Sequence, residues 1–87
     1  MNKKIIFFTK ELLEGLVIAT RPETGSTIIF KDKESKWDIS PRDYYQLIAD
    51  TNFYEITEEE AQAVYKEILP DEKLLDKIDS LRKPTQA

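Results

Sequence analysis

Apolar residues follow two different rhythms along this chain. Up to residue 31 they come in short runs rich in Ile, Val, Phe and Thr: KIIFF (4–8), LVIAT (16–20) and STIIFK (26–31). β-Branched and aromatic residues suit a pleated, half-buried surface, so each run predicts a strand. Between the second and third runs, RPETGS holds Pro22, which presets a turn φ, and Gly25, which supplies a positive φ. A hairpin with a four- or five-residue loop follows from that pair. Residues 9–15 fit two readings: a single helical turn capped by Thr9 and closed by Gly15, or, favoured here, an extended strand continuing around a bend.

Beyond a charged loop, KDKESK, Trp37 and Ile39 return towards the core, and the period then lengthens. Ser40, Pro41 and Asp43 fit the N-cap, N1 and N3 positions of a helix, with Ile39 placed to staple onto Tyr44. Tyr44, Leu47 and Ile48 then share one face, and the helix should end near residues 50–52. NFYEI (52–56) reads as a short extended connector or edge strand. Thr57 repeats the capping logic, and Ala61, Val64, Tyr65 and Ile68 recur at helical spacing, predicting a helix to about Leu69 that Pro70 stops. Asp71 caps a third helix whose Leu74, Ile78 and Leu81 form a stripe widened by Leu75. Strands first and helices second predict an α+β domain: a small antiparallel sheet of about three N-terminal strands, covered on one face by two to three C-terminal helices. Residues 1–82 form that single domain on this reading, and 83–87 a frayed tail.

Length changes the picture by excluding depth. A chain of 87 residues buries only about 60 to 65% of the surface its unfolded form exposes, which leaves little room for an enclosed pocket. Cys and His are both absent. Disulfides, thiolate zinc sites and cysteine nucleophiles are thereby excluded, and so is the commonest general base near neutral pH. No catalytic constellation and no metal or cofactor site is evident, so a non-enzymatic protein is expected. The opening MNKK and its apolar run end after four residues, short of a signal peptide, and no stretch approaches a membrane span. A cytoplasmic location is the expectation.

Net charge is −4, and the excess is local: residues 1–50 hold eight basic and eight acidic side chains, residues 51–87 five and nine. Such a balance argues against direct contact with nucleic-acid phosphates. It also focuses attention on FYEITEEEAQ, with Glu55, Glu58, Glu59 and Glu60. Successive helical residues rotate by about 100°, so the last three glutamates fan apart and cannot converge on one ion. Their position suits the positive end of a helix macrodipole, and Glu60 can complete a capping box with Thr57.

Candidate interface residues are Tyr45, Tyr54, Glu55, Glu58, Glu59, Leu74, Ile78 and Leu81. One member of each aromatic pair, Tyr44 with Tyr45 and Phe53 with Tyr54, should be exposed, and exposed tyrosine near acidic residues is a composition suited to a protein interface. The C-terminal stripe either docks on its own sheet, the favoured reading, or serves a partner or a second copy as a homodimer contact. Usage rich in Lys, Ile and Glu resembles that of small bacterial or phage accessory proteins. Two functions are therefore expected in order: a protein-interaction or regulatory module whose partner is another protein, basic if the acidic face is used; and an acidic inhibitor that imitates nucleic acid to block a nuclease or defence enzyme.

Overall fold

Helices occupy both sides of a single antiparallel sheet. The computed structural model describes residues 4–10 and 15–82. The strands are β1 (Ile6–Lys10), β2 (Leu16–Thr20), β3 (Thr27–Lys31), β4 (Lys36–Ile39) and β5 (Phe53–Ile56). The helices are α1 (Tyr44–Ala49), α2 (Glu58–Tyr65) and α3 (Glu72–Arg82). The sheet runs β4-β3-β2-β1-β5, with every neighbouring pair antiparallel. The α+β class follows the sequence expectation, but the sheet has five strands where about three were expected. Trp37 and Ile39 form a true strand beside β3, and the ambiguous NFYEI segment becomes an outer strand beside β1.

Alternation decides the packing. Phe7, Val17, Ala19, Ile28, Phe30 and Trp37 point to one side, where they meet Ala61 and Tyr65 of α2 and Leu75 and Ile78 of α3. Across this side the rings of Phe30, Trp37, Tyr65 and Phe7 follow one another at centroid distances of 5.3, 5.6 and 6.1 Å. Phe8 and Ile18 point to the other side and pack on Leu47 of α1, with Ile6, Leu16, Ile29, Tyr44 and Phe53 around them. Helices on one face only was therefore the wrong expectation, because adjacent apolar residues in a strand must face opposite ways.

The β2–β3 hairpin closes as expected: Arg21 and Ser26 pair (N···O 2.9 Å), and the N–H groups of Thr24 and Gly25 reach the Arg21 carbonyl at 3.2 and 2.7 Å. Gly25 has φ +85°. Gly15, at φ +74°, is constrained twice, because a Cβ there would stand 2.8 Å from Cβ of Asp32. Residues 11–14 and the tail 83–87 lie outside the described residues, so the two readings of 9–15 meet the structure only at Thr9 and Lys10, which end β1, and at Gly15.

Two helix boundaries move. The cap of α1 is Asp43, not Ser40, and it forms a capping box with Gln46. Ser40 is held back: its N–H donates to the Thr27 carbonyl at 3.1 Å, and its hydroxyl is engaged by Arg42. Ile39 consequently makes no staple and stays exposed on β4. At the other boundary, α2 stops at Tyr65 instead of Leu69, and Lys66 turns to φ 52°. There the Trp37 indole N–H donates to the Ile68 carbonyl at 2.7 Å, holding that carbonyl in a loop. The Thr57–Glu60 capping box and the Asp71 cap of α3 both form. No described helix is long and apolar enough to cross a membrane.

Candidate functional site

The C-terminal stripe is largely consumed by the fold. Ile78 is buried and Leu74 packs against the core, so of the three stripe residues only Leu81, 73% exposed, remains at the surface. Ile78 is therefore a core residue, and Leu74 is partly buried against that core. The reason is geometric: β2, β3 and β4 present enough apolar area beside α2 to seat a second helix.

The sheet divides the tyrosines and glutamates into two sets, Tyr45 and Glu55 on the α1 side and Tyr54, Glu58 and Glu59 on the α2 side. Tyr45 is 57% exposed on the outer side of α1, and Ile48, three residues on, is 55% exposed beside it. Tyr54, half exposed, sits on β5. Tyr54 and Glu55 alternate along that strand, and Glu55 lies across from Phe8, on the α1 side. Glu58 and Glu59 are exposed in the first turn of α2, on the opposite layer. Glu60 is occupied by the Thr57 N–H at 2.9 Å. The acidic rim thus divides between two faces. Near α2, the negative charge of Glu58 adds to burial in holding the Tyr65 phenol above its ordinary pKa.

An ionic cluster around buried Arg21 and Asp79 went unread in the sequence. Arg21, only 4% exposed, donates through Nη1 to Asp79 Oδ2 at 2.6 Å and to Asp76 Oδ1 at 2.8 Å, while its Nη2 lies 3.9 Å from Glu72 Oε1. Ser26 donates to the other oxygen of Asp79. Glu72, Asp76 and Asp79 are spaced i, i+4 and i+7 along α3, which places them on one side of it. That spacing was the available signal; the apolar stripe on the same helix drew the reading instead. Burial alone would lower the Arg21 pKa, but the hydrogen bonds and charges of Asp76 and Asp79 outweigh it and hold the guanidinium more basic than usual. Its Nε is buried with no partner among the described residues. The arrangement pins α3 to the hairpin. With Ser26 fully buried and its carboxylate partner already neutralised by arginine, it lacks the exposed nucleophile that chemistry would require.

A third feature lies along β4. An open groove between that strand and the α2–α3 loop is lined by Ser35, Lys36, Trp37, Ile68, Leu69 and Pro70, with Asp71, Glu72 and Lys73 at one end. Ile68 and Leu69 are 39% and 63% exposed at its lip, and Ile39 is 52% exposed on the strand. Among the described residues, no group of three His, Cys, Asp or Glu could hold a metal ion. No family model, curated protein or solved structure matches the chain.

Proposed function

We propose that this chain is a small non-enzymatic protein-interaction or regulatory module of the cytoplasm, and that α1 carries its contact surface. The observation behind this reading is the pair Tyr45 and Ile48, both more than half exposed and on one side of a helix whose opposite side is anchored by Leu47. Tyrosine beside an aliphatic residue is the composition that interface cores favour over the rest of a surface. The Tyr45 ring is further fixed by an edge-on contact with Tyr44 at 5.4 Å, which lowers the entropy lost when a partner orders it.

The test is capture of partners from a host lysate by the wild-type chain and by the Tyr45→Ala, Ile48→Glu variant. A partner retained by wild type in moderate salt and lost by the variant supports the reading. Retention by both overturns it. Binding that collapses between low and moderate salt and is lost in Glu58→Gln, Glu59→Gln would instead assign function to the acidic start of α2, as expected of a nucleic-acid mimic.

A further inference from the structure

β4 is an outer strand, and its backbone pairing fixes which groups face outwards. The Ser40 N–H donates to the Thr27 carbonyl at 3.1 Å, which makes Ser40 and Thr27 a hydrogen-bonded pair. Antiparallel pairs alternate, so Asp38 and Lys36 also bond inwards to β3, whereas Trp37 and Ile39 direct their N–H and C=O groups away from the sheet. Among the described residues, the Ile39 N–H is met only by the carboxylate of its neighbour Asp38, at 2.9 Å. Lys36 and Asp38 are exposed on the same side of the strand, and Lys36 forms no ion pair among the described residues.

Two copies of such an edge can pair antiparallel about a two-fold axis only where outward-facing residues meet. Four registers satisfy this over the strand, centred on Lys36, on Trp37, on Asp38 or on Ile39, and the last runs Trp37 onto Pro41 of the second copy, which has no N–H for the ladder. The first sets lysine opposite lysine and the third aspartate opposite aspartate, and like charges directly across a ladder destabilise it. The register centred on Trp37 sets each Lys36 opposite the second copy's Asp38, twice over. It also sets each Ile39 across from the second copy's Ser35, on the side of the sheet that carries α2 and α3. That position is the mouth of the groove whose lip is Ile68 and Leu69. Three exposed apolar residues that the monomer leaves in water are covered by one operation.

We propose that the chain forms a two-fold dimer through β4, joining two five-stranded sheets into one, with Lys36 and Asp38 setting the register and Ile39 filling the facing groove. The contact uses the same patch on both copies, so it closes and does not extend into a fibre. The other outer strand lacks this complementarity, because Glu55 is the only charged residue of β5. The competing role for Lys36 is to keep an exposed edge from pairing at all.

Sedimentation equilibrium decides between them. Wild type should give twice the 10.2 kDa monomer mass. Asp38→Lys and Lys36→Asp should each raise the dissociation constant by roughly tenfold or more, and the double exchange Lys36→Asp, Asp38→Lys should restore it. A wild-type mass of one copy at every concentration overturns the proposal, as does a dimer unchanged by Asp38→Lys or a mass that grows past two copies. Amide exchange on wild type supplies an independent reading should a variant fail to fold. The Trp37 N–H should become more protected as concentration rises, and protection independent of concentration overturns the proposal as well.

Discussion

The two faces of the sheet solve the same burial problem unequally. Among the described residues, ten are buried in one cluster on the α2 and α3 side and three on the α1 side, and the helices supplied to each side differ accordingly. α2 and α3 contribute Ala61, Tyr65, Leu75 and Ile78 as buried side chains, whereas the six residues of α1 contribute Leu47 alone. The larger layer also holds the buried Arg21–Asp79 ion pair. A single short helix leaves Tyr45 and Ile48 turned to solvent, and that is why the thinner face is the one assigned to a partner.

The contrast is sharpest in the cores. Leu75→Ala should cost about 3 kcal/mol or more, and Leu47→Ala clearly less, because a six-residue helix can settle into the space left behind while α3 is pinned. Urea denaturation of both variants measures this, and equal losses would break the comparison. Arg21→Met should cost about 3 kcal/mol by leaving Asp79 buried without its counter-charge. Adding Asp79→Leu should recover part of that loss, whereas a further drop would mean that the cluster matters for packing alone.

Smaller effects separate the caps and the titrating groups. Thr57→Ala on the thick side and Asp43→Ala on the thin side should each cost about 1 kcal/mol, and an unchanged melt in either would place that helix start elsewhere. Tyr65 distinguishes the faces by pH. Its phenol is held above its ordinary value of 10.0, first by burial and then by Glu58. Its neutral form is therefore favoured by folding, so the stability it contributes is present below pH 10.0 and is lost as pH rises through the higher folded value. Wild type should weaken on that alkaline limb and Tyr65→Phe should weaken less; identical profiles would remove Tyr65 from the account. Asp50, near α1, has the opposite sign. The Asn52 N–H and Arg42 lower its pKa, so its contribution is present above the ordinary carboxylate value and fades as pH falls. Asp50→Asn should flatten only the acid limb, and by the least of these effects.

Much of the fold was legible because much of it is local. β2 keeps the bounds read from LVIAT, the PETG turn closes as its proline and glycine require, and the Thr57–Glu60 box spans only three residues. Asp71 reaches Leu74 over the same interval. Even the two-sided sheet was written in the chain: IIFF and LVIA are unbroken apolar runs, the pattern of strands buried on both faces, whereas a one-sided sheet would alternate. Of the candidate contact residues, Tyr45, Tyr54, Glu55, Glu58, Glu59 and Leu81 are exposed, Leu74 is partly buried and Ile78 is in the core.

What the sequence determined by itself was the kind and approximate place of each element, since strand patterning, turn residues and caps act over a few positions. Tertiary structure alone decided the pairing of β5 with β1, the shift of the α1 cap from Ser40 to Asp43, the early end of α2 at the Trp37 hydrogen bond, and the clamp of Arg21 on Asp76 and Asp79. Arg21 and Asp79 stand 58 residues apart. Contacts at such separation depend on where the whole backbone brings two groups together, and no local preference encodes that distance.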